Sequence, residues 1–272
     1  MRTTKVSALP SALDDDTVRS RLAGRRPAVF LDYDGVLTPI VDRPEEAVLS
    51  EPMRATVRAL AERHPVCIIT GRDRAVVQHL MGVDDLAVAG SHGFDIWTPQ
   101  HGSISSDRID AHAELIATVT ERLREAVGTL PGVQVEPKRA SVAVHYRLAV
   151  REDARRVGEA VQQLLEQFGD ELALTPGKMV YELKPNIDWH KGKAVLHLIE
   201  VLGLDGDDVV PLYLGDDITD EDAFRALQEH GNGIGIFVGH PDDPEVADRD
   251  TAAQFLLHSV DDVQRFLTEL AR

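Results

Sequence analysis

Two aspartates one residue apart, Asp32 and Asp34, stand where the apolar run Ala28-Val-Phe-Leu31 breaks into Gly35. In an extended strand residues i and i+2 share a face, so both carboxylates tend to leave the strand end on the same side. Two negative charges held together are costly unless a cation or a developing positive charge offsets them. A divalent metal gives such a pair a purpose, with one carboxylate free to attack and the other to move a proton. A solvated turn also uses Asp and Gly, so this motif carries weight only in company.

Company appears at three further positions. Thr70 closes the run Val66–Ile69 and precedes Gly71-Arg72-Asp73; its hydroxyl and the following amides can hold a phosphate oxygen at a helix N-terminus, or Thr70 or Asp73 can simply cap that helix. Lys191 and Lys193 lie in His190-Lys-Gly-Lys-Ala194 at a helix start. There a lysine opposes the helix dipole, which makes sense beside a bound anion; solvent exposure is the plainer alternative for either one. In Leu214-Gly215-Asp216-Asp217-Ile-Thr219-Asp220-Glu221-Asp222 five acids fall within seven positions. Capping the next helix uses one or two acids, and Asp216, closest to the strand end, is the candidate metal ligand.

The elements that must carry these residues alternate. Strand patterns at Ala28–Asp32, Val66–Thr70 and Leu86–Ala89 are separated by helical patterns at Pro52–Arg63 and Arg74–Met81. After His190 the order resumes with a helix at Lys193–Leu202, a strand at Pro211–Leu214, a helix at Glu221–Glu229, strands at Ile234–Val238 and Gln254–Leu257, and a helix at Asp261–Leu270. Short apolar strands between helices predict a parallel sheet covered on both faces, and ligand sites in such sheets form outside the carboxyl ends of the strands. Asp32, Thr70 and Asp216 all sit at such ends.

Between these halves the texture changes. A helix at Ala111–Val127, strands at Val133–Glu136 and Ser141–Leu148, a helix at Glu152–Phe168 and strands at Leu172–Thr175 and Met179–Leu183 predict an antiparallel sheet backed by two helices. The expected organisation is an α/β chain. A lead-in spans 1–24, a Rossmann-like core spans 25–110 and 187–272, and an inserted α+β cap spans 111–186. Along Ser141–Leu148, His145 and Arg147 share one face opposite Val142, Val144, Tyr146 and Leu148; in Lys178–Lys184, Glu182 and Lys184 lie opposite Met179, Tyr181 and Leu183. Each cap strand thus offers a polar side, to water or to a sugar.

The bulk composition excludes several classes. With 272 residues, 43% hydrophobic and a formal net charge of −17, the chain can build sizeable cores and lacks the basic balance of a nucleic-acid binder. A single cysteine, Cys67, cannot form an intramolecular disulfide and reads as strand packing. No apolar signal core or membrane-length segment is evident, so a cytoplasmic protein without membrane partners is expected. No sustained heptad or apolar stripe appears, so the sequence leaves the oligomeric state open, with a monomer as the default expectation.

The four polar clusters taken in order, Asp32-x-Asp34-Gly-x-Leu-Thr, Thr70, Lys191 and Gly215-Asp216-Asp217, resemble the motifs of the haloacid dehalogenase-like phosphohydrolases. More narrowly, Leu31-Asp-Tyr-Asp-Gly-Val-Leu-Thr-Pro39, Thr70-Gly-Arg72, Ser91-His-Gly93 and Gly215-Asp-Asp-x-Thr219-Asp-Glu-Asp222 are similar to the trehalose-6-phosphate phosphatases. The resemblance covers roughly residues 26–270 and implies a C2-type cap. It implies that Asp32 attacks phosphorus, that Asp34 serves as acid and base, and that Thr70 and Lys191 bind the phosphoryl oxygens. Mg²⁺ would be held by Asp32, Asp216 and the main-chain carbonyl of Asp34, with Asp217 and Asp220 left open. The substrate, a sugar phosphate, would meet Asp32, Tyr33, Asp34, Gly71, Arg72, Ser91, His92 and Gly93 from the core, and Lys138, His145, Arg147, Glu182 and Lys184 from the cap. The family commonly places a small residue and then Glu after Ser-His-Gly, where this chain has Phe94-Asp95. Alternatives are a phosphatase of another sugar phosphate, such as sucrose phosphate or a mannosylglycerate phosphate, and a non-catalytic sugar-phosphate sensor.

Overall fold

A computed structural model of the chain describes residues 3–41, 43–104, 112–177, 179–243 and 246–272. The chain divides into two compact units, Met1–Ile104 with Trp189–Arg272, and Ser105–Asp188. The boundary expected at 110/111, the first residue of the helix expected from Ala111 and the lysine at 178 lie outside the described residues.

In the first unit the described strands include β1 (Thr4–Lys5), β2 (Arg26–Leu31), β3 (Val66–Ile69), β4 (Ala87–Gly90), β5 (Asp95–Thr98) and β6 (Gly102–Ile104). Later in the chain the same unit carries β11 (Val209–Gly215), β12 (Ile234–Val238), β13 (Asp250–Thr251) and β14 (Phe255–Leu257). Its helices are α1 (Asp16–Leu22), α2 (Glu51–Ala61), α3 (Arg74–Met81), α6 (Lys191–Val201), α7 (Glu221–His230) and α8 (Val260–Leu270). One sheet runs β14-β12-β11-β2-β3-β4-β5-β6, parallel from β14 to β4. The strands β5 and β6 extend it antiparallel; this hairpin was not expected, because Asp95-Ile-Trp-Thr98 has no apolar run to announce it.

Period-two alternation divides each strand between two cores. Val29 and Leu31 of β2 face Met53, Val57 and Leu60 of α2 and Phe266 and Leu267 of α8. Ala28 and Phe30 face Val195 and Leu198 of α6 and Phe224 and Leu227 of α7. The sheet is therefore buried on both sides, as its continuous apolar strands require. The sole cysteine, Cys67, packs into the second of these cores. The expected irregular lead-in is instead an integral part: β1 pairs antiparallel with β13, and Val6 and Val18 are fully buried.

The second unit contains helices α4 (Ala113–Val127) and α5 (Arg151–Phe168) and strands β7 (Gln134–Pro137), β8 (Val142–His145), β9 (Leu172–Gly177) and β10 (Val180–Pro185). Its antiparallel sheet runs β7-β8-β10-β9. Val142, Val144 and Leu183 pack against Val119 and Leu123 of α4 and Val157, Val161 and Leu164 of α5. Two strand expectations are corrected. The strand expected over Ser141–Leu148 ends at His145, so Arg147 and Leu148 lie in the following turn, and Leu148 is 86% exposed rather than on the apolar face. Met179 precedes β10 at φ 65° and is exposed, so it shares no strand face with Tyr181.

Candidate active site

Because β2, β3 and β11 run parallel, their carboxyl ends lie along one edge, and Asp32, Thr70 and Asp216 follow those ends directly. Asp32 is buried, 6% exposed; its Oδ1 accepts from the Tyr33 amide at 2.7 Å and its Oδ2 from Lys191 Nζ at 2.8 Å. Lys191 is 3% exposed, so the plain expectation of a solvated lysine does not hold. It is the first residue of α6, and the next residue explains how it gets there. A Cβ on Gly192 would stand 2.2 Å from the Asp222 carbonyl oxygen, so only glycine lets α6 approach α7 this closely.

The five acids after β11 have separate tasks. Asp220, fully buried, accepts at Oδ1 from Lys191 Nζ at 2.7 Å and from the Tyr213 hydroxyl at 2.6 Å. Its Oδ2 accepts from the amides of Asp216 and Asp217 at 3.0 and 2.9 Å. Asp217 accepts from the Ile218 amide at 2.6 Å and caps the turn. Glu221 accepts from the Ala252 amide at 2.8 Å, and Asp222 pairs with Arg225 at 3.3 Å. Among the described residues no hydrogen-bond donor meets the Asp216 carboxylate. It lies against Gly35 instead, where a Cβ would fall 2.0 Å from Oδ2 and where φ is +73°.

Asp32, Asp216 and Asp220 bring carboxylate oxygens within 4.8 Å of one another. One buried ammonium faces this group. Burial, and secondarily Asp220, push the Asp32 carboxyl up to about 7 against the pull of Lys191. Burial, then Asp32 and Asp220, push Asp216 up to about 8. Lys191 is raised: burial opposes its charge, but the two carboxylates outweigh that. These shifts describe a site short of positive charge, and an all-oxygen donor set with one unmet carboxylate fits a divalent cation. Asp32 and Asp216 would hold it. Asp220 has four donors already and acts on the cluster by fixing Lys191 and the Asp216 loop.

Thr70 is buried and its Oγ1 accepts from the Arg72 amide at 3.2 Å. Neither it nor Asp73 caps α3 as the alternative had it: Asp73 makes no side-chain cap bond and accepts from Ser91 Oγ at 3.0 Å. Ser91 and His92 adopt positive φ, 49° and 57°, a strained turn of the kind concentrated at functional sites. It is held by the His92 amide donating to the Thr70 carbonyl at 2.8 Å, with Gly71 against the His92 ring and Gly93 against Ala194. Asp34 and Arg72 form a fork, Nε to Oδ2 at 2.6 Å and Nη2 to Oδ1 at 2.7 Å. The side chain of Tyr33, expected to meet substrate, is withdrawn: it is fully buried and its hydroxyl donates to the Ala47 carbonyl at 2.6 Å. Phe94 packs near Trp189 and Asp95 pairs with Arg74 at 3.1 Å.

In the second unit, Glu182 accepts from Ser141 Oγ at 2.6 Å and from Lys138 Nζ at 3.3 Å. His145 Nε2 lies 2.7 Å from Glu136 Oε2. The register places Glu136, Ala143, His145, Glu182 and Lys184 on one face of the sheet. Glu136 was missed, although alternation along Gln134–Pro137 marks it. Arg147 does not share that strand face, because β8 stops before it.

Residues 30–261 match the family model described as Trehalose-phosphatase. The chain belongs to the trehalose-phosphatase family. Within the family it is similar to a trehalose-phosphate phosphatase of Mycobacterium bovis, 40% identical over 269 residues, covering 98% of this chain and 67% of the relative. A trehalose-phosphate phosphatase of Mycobacterium avium is 44% identical over 252 residues, covering 92% of this chain and 63% of the relative. The chain therefore spans about two thirds of the length of these family members. A solved structure of the C-terminal domain of a Candida albicans trehalose-6-phosphate phosphatase superposes with a TM-score of 0.72 over 98% of this chain and 99% of that one, at 22% identity. At that identity the likeness is one of fold, and it agrees with the haloacid dehalogenase-like architecture expected for the family.

Proposed function

We propose that this chain is a Mg²⁺-dependent phosphatase that hydrolyses trehalose 6-phosphate to trehalose and phosphate through an aspartyl-phosphate intermediate. The observation that carries the reading is the buried contact of Asp32 with Lys191 beside the unmet Asp216 carboxylate. Family membership and the names of the relatives support the choice of trehalose 6-phosphate. A cation held by Asp32 and Asp216, with the Asp34 carbonyl, would offset the charge that phosphoryl transfer concentrates, and oxygen ligands suit Mg²⁺.

The chain's own residues do the rest. Asp32 attacks phosphorus; the P–O bond to the sugar breaks as Asp34 passes a proton to the departing oxygen. Water then attacks phosphorus, the Asp32–phosphorus linkage breaks, and Asp34 takes the water's proton. Thr70 Oγ1 and Lys191 Nζ bind phosphoryl oxygens. In the first unit Gly71, Ser91, His92 and Gly93 are the candidate sugar contacts; in the second unit the candidates are Lys138, His145, Arg147, Glu182 and Lys184. The chain works in the cytoplasm as a monomer.

Phosphate release measured across a panel of sugar phosphates with Mg²⁺ tests this. Trehalose 6-phosphate is expected to be the best substrate, and Asp32→Asn to abolish its turnover. Equal or better turnover of sucrose phosphate or a mannosylglycerate phosphate removes the trehalose assignment. Binding without any turnover replaces the enzyme with a sensor.

A further inference from the structure

The sequence resemblance assigns Arg72 to substrate, yet in the structure all three nitrogens of its guanidinium already donate within the protein. Its fork grips Asp34 through Nε and Nη2 at 2.6 and 2.7 Å, and Nη1 donates to the Pro44 carbonyl at 2.7 Å. The guanidinium carbon lies 5.8 Å from the centre of the Tyr33 ring, which is itself fixed by its hydroxyl bond to Ala47. The arginine backbone is tied on both sides, by its amide to Thr70 Oγ1 and by its carbonyl accepting from the Ser91 amide at 2.7 Å. The Arg72 side chain is 16% exposed and that of Asp34 36%, so the cation is the more enclosed partner of the pair. An arginine meant to seize a phosphate would keep its fork open. This one arrives at Asp34 already oriented by a carbonyl and an aromatic face.

We propose that Arg72 is a positioning residue for Asp34, setting the plane of the proton-carrying carboxyl rather than binding the sugar phosphate. The assignment rests on the phosphatase reading above. A carboxyl that must deliver a proton to a departing oxygen and then take one from water needs the same placement in both half-reactions. Displacing a reacting group by about 1 Å costs on the order of 100-fold in rate. Both oxygens of Asp34 are anchored by one rigid donor pair, which a lysine cannot reproduce.

The test compares Arg72→Ala, Arg72→Lys and Asp34→Asn, alone and combined, on trehalose 6-phosphate and p-nitrophenyl phosphate. With the sugar phosphate, Arg72→Ala is expected to lower kcat about 100-fold while KM stays within about threefold, the pattern of a contact that acts in the transition state. Arg72→Lys keeps the charge without the fork and is expected to recover only part of that loss. Nitrophenolate leaves without a proton, so Arg72→Ala is expected to give a burst of one nitrophenolate per enzyme followed by slow turnover. In the Asp34→Asn background, removing Arg72 should change the rate less than about twofold, because two residues acting as a unit are not additive. A KM raised tenfold or more at unchanged kcat, or additive losses in the double variant, overturns the proposal. Should Arg72→Ala fail to fold, Arg72→Lys carries the same cycle. Wild-type protein that turns over neither ester defeats the phosphatase reading and this assignment with it; a slow Asp34→Asn beside a normal Arg72→Ala defeats the arginine assignment alone.

Discussion

The edge of the parallel sheet and the polar face of the antiparallel sheet both gather charged side chains, but they hold them differently. At the edge, Lys191, Asp32 and Asp220 are 3%, 6% and 0% exposed and joined by bonds of 2.7 and 2.8 Å. On the other face, His145 and Glu136 are each more than 40% exposed, while Glu182 meets Lys138 at 3.3 Å with both side chains partly buried. Buried charges are costly and fixed, whereas open pairs are cheap to rearrange. The first arrangement suits bond-making, which needs atoms in place before substrate arrives. The second fits the sugar recognition proposed above, because exposed side chains can exchange water for other partners.

The sharpest way to break this contrast is Lys191→Met. It leaves Asp32 and Asp220 buried without their ammonium, and is expected to cost about 3–5 kcal/mol in urea unfolding besides abolishing phosphate release. Wild-type stability in that variant would mean the carboxylates are not committed to the lysine.

A smaller effect of opposite sign is expected at Asp216. Its carboxyl sits at about 8 in the folded chain against about 3.9 unfolded. The folded state therefore binds the proton more tightly: the group's stabilising contribution is full below about pH 4 and lost as pH rises through about 8. Metal-free protein should melt lower at about pH 8.5 than at about pH 5.5, and Mg²⁺ should raise the melting temperature more at the higher pH. Asp216→Asn should stabilise the metal-free chain at about pH 8.5 by about 1–2 kcal/mol and erase the response to Mg²⁺. A metal response that survives the substitution would move the cation elsewhere.

The mildest change expected is at Glu182. Glu182→Gln should change stability by no more than about 1 kcal/mol, because the amide oxygen can still accept from Ser141 and Lys138. It should raise KM for trehalose 6-phosphate about tenfold with kcat kept, the mark of uniform binding. A loss confined to kcat would erase the division of labour between the two surfaces.

Much of the sheet edge was legible because it rests on local pattern. Apolar runs fix β2, β3 and β11, and the residue ending each run is necessarily at the rim. What sequence hid is pairing over distance. That Lys191 turns inward depends on an approach of α6 to α7 permitted at Gly192, and Arg72 finds Asp34 across 38 positions. Nor could spacing divide five neighbouring acids among capping, bracing and an unmet carboxylate; that follows from which amides Asp220 captures. Alternation located the polar sides of β8 and β10 but overran β8, because Tyr146 and Leu148 continue its rhythm into a turn.

The placement of Cys67 in the middle of a core has a practical consequence. Burial pushes its thiol up to about 12, so the folded chain offers maleimides no thiolate to attack. A dye can therefore be attached at any newly introduced surface cysteine without background. The native sulfur, left alone, becomes a clock: the rate at which it is alkylated at rest reports how often the parallel sheet opens.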